Sequence, residues 1–270
     1  MPPPPNWNWP VAEKIPYRAG GFEPRRVPIA SVLTLLGLIA IWQACASLGW
    51  MSTAFASSPL LIARALESLI RSGELWGHLA ASLRRLAVGW AIGTLAGLAV
   101  GMAVGLFTLA RSPGMAIVSA LFPIPKIALV PLFIIWFGIG EGSKIVTLAF
   151  GVFFPTVINT MAGVDNVPRN LIRMAQSFGV PYAEILRKII LPGAMPAILS
   201  GFRITTSTAI ILLVAAEMIG ADKGIGAFVL QAGNLYDTDN LLAGIVVLSA
   251  IGLTVSWVLG RLERALLGWR

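Results

Sequence analysis

Three ionisable residues, Lys126, Arg203 and Glu217, sit inside stretches that otherwise carry no charge. In hydrocarbon an ammonium, guanidinium or carboxylate is expensive unless it faces protein, a partner charge or a water-filled path. Lys126 follows Pro123 and Pro125 and precedes Pro131 in ALFPIPKIALVPLFIIWFGIG. Each proline removes a backbone donor and disturbs the local helix. Lys126 therefore reads either as a positive group near an anion pathway or, preferably, as a tether from a broken helix to a carbonyl or carboxylate. Arg203 and Glu217 are fourteen residues apart, about 21 Å along a helix, so they mark opposite ends of one element and cannot pair within it. Between them, Thr205, Thr206, Ser207 and Thr208 make a polar patch. It suits a helix lining a watery path, although hydroxyls also satisfy backbone carbonyls in packed spans.

Other chemistry is scarce. Cys45 is the single cysteine and His78 the single histidine, which leaves no intramolecular disulfide and little for a zinc or haem site. There is no G-x-x-x-x-G-K-[ST] phosphate loop, so the chain is not expected to hydrolyse ATP or to hold a cofactor. The net charge of +8 has no separate basic domain behind it, which argues against nucleic acid.

The elements that must position these residues are membrane helices. Hydrophobic residues make up 57% of the 270 and charged residues 12%, with a mean hydropathy of +0.82. So few charges cannot cover a water-soluble body of this size. Six apolar blocks are long enough to cross a bilayer: 29–48, 86–110, 111–141, 145–164, 198–219 and 240–260. This predicts an all-α, polytopic fold, with residues 1–28 as a tail before a membrane domain at 29–270. The tail carries Trp7 and Trp9 and no A-x-A cleavage pattern, and reads as cytoplasmic. Six spans put both termini on one side. With that side inside, twelve Lys and Arg fall in cytoplasmic segments and six outside, which favours cytoplasmic termini. Arg84 and Arg85 lie on the wrong side for the rule.

Ser58 and Pro59 read as a helix start, followed by Leu61, Ala65, Leu66 and Leu69 at helical spacing. The expectation is a short helix on the membrane surface with Arg64, Glu67 and Arg71 toward water, or else a plain connector. In the second block Gly89, Gly93, Gly97, Gly101 and Gly105 recur every four residues. Such a ridge lets another backbone approach closely, either within the subunit or at a dimer contact.

The stretch NVPRNLIRMAQSFGVPYAEILRKIILPGAMPAILSGFR runs from Asn166 to Arg203. Asn166 suits a helix cap with Pro168 in the first turn. Gly179 suits a left-handed stop, Pro181 a second start, and Leu191-Pro192 an end before the next span. Two short helices with a glycine elbow make either a rigid protrusion that a partner can grip or an amphipathic connector.

This stretch resembles the cytoplasmic loop of binding-protein-dependent ABC importer permeases, whose motif is E-A-A, three residues, G, about nine residues, I, two residues, L-P. Ala175 matches the second alanine, Gly179 the glycine, Ile189 the isoleucine and Leu191-Pro192 the closing pair, shifted by one residue. Arg173 and Met174 stand where the glutamate and first alanine are usual. The likeness extends from Ser57 to Trp269, and LFPIPKIALVPLFIIWFGIG, GVFFPTVINTMAG, VAAEMIGADKGIG and RLERALLGW are similar to the subgroup importing nitrate, taurine and aliphatic sulfonates. Bicarbonate, aromatic acids and vitamin precursors stay open as substrates, as do a secondary transporter and a non-transporting anchor.

The resemblance implies a six-helix importer permease fold in the bacterial inner membrane. It implies a homodimer in the bilayer, two cytoplasmic ATPase subunits that bind ATP and Mg2+, and an external binding protein. Arg173, Met174, Ala175, Gln176, Ser177, Phe178 and Gly179, with Ile189, Leu191 and Pro192, would then belong to the ATPase coupling loop at 165–195. Helix 198–219 would carry the motion inward.

Overall fold

The computed structural model describes residues 28–50 and 57–268, and every regular element among them is helical. The expected tail falls outside these residues, with Trp7 and Trp9, except that Pro28 opens the first helix. The chain separates into two units, residues 1–51 and 52–270. The first contains α1 (Pro28–Ser47), a single apolar helix long enough to cross a membrane. The second contains α2 (Pro59–Ser72), α3 (Glu74–Leu106), α4 (Thr108–Leu121), α5 (Val130–Phe137), α6 (Glu141–Asp165), α7 (Arg169–Ser177), α8 (Tyr182–Ile185), α9 (Leu191–Met218), α10 (Ile225–Asn234) and α11 (Thr238–Leu266).

Five helical runs among the described residues satisfy the length and hydropathy of a span, and the bent pair α4 and α5 brings the number to six. Three boundaries differ from expectation. The second span starts earlier, because the helix already runs from Glu74 through Arg84 and Arg85, and it ends at Leu106, where Phe107 turns extended. The third block is two helices bent by 85°. Pro123 and Pro125 supply no amide donors there, the chain is extended at Pro125, and a 3-10 turn at Lys126–Leu129 restarts it. Pro131 then sits in the first turn of α5, where a missing N–H is harmless. The fifth span is continuous with the preceding loop: Tyr182 to Met218 forms one helical run.

That continuity depends on a π turn at Leu186–Ile190, in which the Leu191 amide reaches back to the Leu186 carbonyl. Pro192 can neither donate to Lys188 nor tolerate its carbonyl close by in α-register. The wider turn moves that carbonyl aside, so the expected end at Leu191-Pro192 becomes a change of register.

α6 occupies the middle of the second unit, packed between α3 and α9. The glycine ridge of α3 faces it. A Cβ on Gly97 would stand 2.6 Å from the Thr156 Cβ and 2.8 Å from the Phe153 carbonyl oxygen. On Gly101 it would stand 2.6 Å from the Thr160 Cβ, and on Gly89 2.7 Å from that of Leu148. Gly93 lies against the Ala149 backbone and Gly105 against Val164. The ridge is therefore an internal contact. On its other side α6 meets α9 through Gly163 against Ala194 and Asn159 against Gly201. α2 has the expected Ser58 cap, whose hydroxyl accepts from the Leu61 amide at 3.3 Å. Ile62 and Leu69 are buried and α2 packs on α11 and α3, with Arg64, Glu67 and Arg71 exposed on its other face.

At the end of the unit opposite α7, the helices are locked by charge. Arg85 is 3% exposed and Glu217 1%. The guanidinium donates to Glu217 Oε1 at 2.8 Å and, through Nε, to Glu141 at 3.0 Å. It thus joins α3 to the end of α9 and the start of α6. Glu217 also accepts from the Ser82 hydroxyl at 2.8 Å and the Gly226 amide at 2.9 Å. Ser82 in turn accepts from the Ile225 amide at 2.9 Å. The first amides of α10 are satisfied in this way by side chains of α3 and α9. Lys144 donates to the carbonyls of Gly140 at 2.9 Å and Gly220 at 3.0 Å, a second clamp between α6 and the segment after α9.

Two predictions follow from these contacts. Gly97→Ala should destabilise the folded protein by about 1–3 kcal/mol through overpacking, and Gly97→Leu should abolish folded yield. Gly77→Ala, in the same helix with nothing within 4 Å of the new Cβ, should be neutral or gain up to about 1 kcal/mol. Glu217→Ala strands the Arg85 charge and should cost about 3–5 kcal/mol, whereas Glu67→Ala, which breaks an exposed pair with Arg71, should change stability by less than about 1 kcal/mol. Thermal unfolding in detergent, followed by tryptophan fluorescence, ranks the other four, and recovery of folded protein tests Gly97→Leu. Equal melting of the Gly97→Ala and Gly77→Ala proteins would contradict the packing assignment.

Candidate functional site: the loop between the central helices

Asn166 ends α6, its amide bonded to the Ala162 carbonyl at 3.0 Å. It does not cap α7, because its backbone is spent on completing α6; Pro168 takes the capping position without a side-chain bond. α7 then stops as the glycine predicts. Gly179 has φ +69°, its amide bonds the Gln176 carbonyl at 3.0 Å, and the Val180 amide bonds Ala175 at 3.1 Å. This pair of bonds around a left-handed residue is a Schellman stop. It turns the chain into Pro181 and α8.

The inner face of this elbow is fixed. Ala175, Ile185 and Ile190 join Val164, Val167, Ala194 and Ile198 in one apolar cluster, with Ile172, Val180 and Ile189 packed against it. The outer face is bare. Phe178 is 79% exposed and Met174 53%, and Leu171 and Tyr182 are also exposed. Arg173, Gln176 and Ser177 share that surface. The residues that the motif singled out therefore divide by role. Arg173, Met174, Gln176, Ser177 and Phe178 face outward around the Gly179 turn, Ala175 and Ile189 anchor the elbow, and Leu191 and Pro192 form the register change into α9. Leu171 and Tyr182 extend the apolar surface and escaped the sequence reading. Leu171 was legible at i−3 from Met174 and i−7 from Phe178, one stripe of a helix.

The intramembrane residues are not gathered with the loop. Lys126 bonds the Phe122 carbonyl at the α4–α5 break, and its ammonium lies 4.8 Å from the Phe122 ring centroid and 5.6 Å from that of Phe154. One side chain thus satisfies a carbonyl freed by the break and rests on α6, the arrangement of a tether. Arg203 pairs with Glu263 of α11 at 2.6 Å. Glu217 belongs to the charge lock at the opposite end.

The polar patch between them splits by face. Thr205 and Thr206 are buried, donating to the Phe202 carbonyl at 3.1 and 2.8 Å, and Trp90 Nε1 donates to Thr205 at 3.3 Å. Thr208 and Ser207 bond the carbonyls one turn back, Ile204 at 3.2 Å and Arg203 at 3.3 Å. All four hydroxyls bond backbone carbonyls; Thr205 and Thr206 do so inside the bundle, while Ser207 does so on its exposed surface. Among the described residues no group of three or more His, Cys, Asp or Glu could hold a metal ion.

Residues 92–268 match a family described as binding-protein-dependent transport system inner membrane component. The aliphatic sulfonates transport permease protein SsuC of Escherichia coli K12 is 39% identical over 87% of this chain and 89% of its own length. The taurine transport system permease protein TauC of the same organism is 36% identical over 97% and 93%. Among solved structures, an inward-facing form of the MetNI methionine ABC transporter superposes with a TM-score of 0.60 at 25% identity, over 71% of this chain and 95% of that one. With a helical bundle of spans, a rigid loop between the two helices that build its core, and relatives aligned along almost its whole length, the chain belongs to the binding-protein-dependent transport system inner membrane component family, as a multi-pass inner-membrane permease subunit of an ABC importer.

Proposed function

We propose that two copies of this chain form the membrane path of an importer for a small organic anion of the sulfonate or taurine type, with α7 and its elbow as the docking point of a cytoplasmic ATPase. The observation that carries the docking reading is the elbow itself: an inner face fixed in an apolar cluster beside an outer face that leaves Met174 and Phe178 bare. A methionine on a short helix and an aromatic at its stop, both exposed, are a good anchor for a partner's pocket. The names of the sulfonate and taurine relatives support the substrate class.

In this reading the loop end and both termini lie in the cytoplasm, and the charge-locked end faces the external binding protein that delivers substrate. The Lys and Arg distribution supports that orientation. Arg84 and Arg85, which run against it, are both engaged by Glu141. ATP and Mg2+ belong to the partner subunits, whose closure would move α7 and, through the continuous helix, α9. The chain's own part is to convert that motion into alternating access between its two faces.

Uptake into proteoliposomes containing permease, ATPase and binding protein tests the whole. ATP-dependent uptake of an alkanesulfonate or taurine, with nitrate, bicarbonate and aromatic acids as weaker competitors, is the expected result. Uptake that needs no ATPase would mean a secondary transporter. Two variants test the parts. Gly179→Val forces a β-branched residue to positive φ; insertion should survive, while ATPase stimulation by loaded binding protein falls at least tenfold. Lys126→Met should lower the maximal uptake rate and folded yield with little change in half-saturating substrate. A many-fold rise in half-saturation at normal yield would instead place Lys126 on the substrate.

A further inference from the structure

The docking surface just described has an electrical character of its own. Residues 166–190 carry Arg169, Arg173, Arg187 and Lys188 against one acid, Glu184. That acid is taken, pairing with Lys188 at 2.7 Å. Asp165, the next acid toward the N-terminus and close to Arg169, is held by Arg111 at 2.6 Å. Arg173 and Arg187 are exposed and form no ion pair among the described residues.

The placement of these cations works against the loop's own folding. Arg169 opens a nine-residue helix and Arg173 follows one turn later. Positive charge at a helix start opposes the backbone dipole, and like charges at i and i+4 repel. α7 has no acid in its first turn to offset either effect. Arg173 is next in the chain to Met174, one of the two bare apolar anchors; the other, Phe178, follows at the end of α7. An apolar knob with the unpaired Arg173 beside it fits a pocket with an apolar floor and a negative rim.

We propose that the ATPase groove receiving α7 is rimmed by acidic side chains, and that Arg173 is the principal residue it recognises. The proposal rests on the docking reading above and adds to it the charge of the partner, and with it a means of discriminating one ATPase from another. A basic loop beside a membrane also attracts anionic lipid headgroups. A rigid helix that pairs its cations with a protruding phenylalanine favours a protein groove.

The test measures affinity of the cognate ATPase subunit for the full-length permease in phosphatidylcholine nanodiscs, at 50 and 500 mM NaCl. Arg173→Glu should weaken binding at least tenfold at 50 mM salt, Arg173→Gln about threefold, and Arg173→Lys less than twofold. High salt should weaken the wild type at least tenfold and the Arg173→Glu protein much less. Phe178→Ala should weaken binding at both salt concentrations, because its contact is apolar.

If Phe178→Ala loses binding while Arg173→Glu and Arg173→Gln bind like the wild type, docking stands and the acidic rim is wrong. If all three bind like the wild type, the docking reading fails as well. If the Arg173 variants differ from the wild type only once phosphatidylglycerol is added to the discs, the charge reads lipid and the proposal is overturned. All variants should enter nanodiscs with wild-type yield, since both side chains are exposed.

Discussion

In the packed interior of a helix bundle, as in the bilayer around it, no water is at hand to hydrate a charge or an idle backbone group, so each must find its partner within the protein. The contact between Arg85 and Glu217 is where this constraint is most costly to violate. Each charge is nearly inaccessible, and each is satisfied by several bonds from different helices. Through them the start of α6, the end of α9, the middle of α3 and the first turn of α10 share one network. Removing a member strands the others. Gly224 shows how tightly the network is drawn: its φ of +138° and its position against the Glu217 carboxylate leave no room for a side chain.

The same constraint explains the rest of the core by its opposite. Where no charge is available, helices associate through close packing alone, because lipid is as apolar as they are. The α3–α6 contact uses glycine on one helix and Leu148, Thr156, Thr160 and Val164 on the other. The threonines place a methyl against the ridge; Thr156 also returns its hydroxyl to the Val152 carbonyl at 2.8 Å. One end of the bundle is therefore fixed by electrostatics and its length by shape.

Much of this was legible in the sequence, and the reasons differ by residue. Charge-free blocks reveal spans because hydropathy is a local property. The glycine period is also local, although the partner it meets is not, which is why an internal contact and a dimer contact read alike until α6 is seen beside it. Gly179 was legible because a left-handed stop needs glycine whatever surrounds it.

The charge lock was hidden. Arg85, Glu141 and Glu217 are separated by 56 and 76 positions, and only their common placement at the same end of the second, fourth and fifth spans hinted at a meeting. The run through Pro192 was misread for a different reason. Proline usually ends a helix, and nothing in the letters ILRKIILPG shows that a turn of wider register will absorb it.

That absorbed proline leaves one continuous helical run where a break was expected. The 37-residue run from Tyr182 to Met218 is about 55 Å long at 1.5 Å per residue. It has the exposed elbow at one end and the Glu217 network at the other. A helix that continues through its proline passes displacement along its length, with the π turn and Pro196 as its weakest points. A tilt of only about 5°, too small to disturb most of its packing, would carry one end roughly 5 Å relative to the other over that length. A helix broken at Leu191-Pro192 would have bent there instead, leaving the far end still.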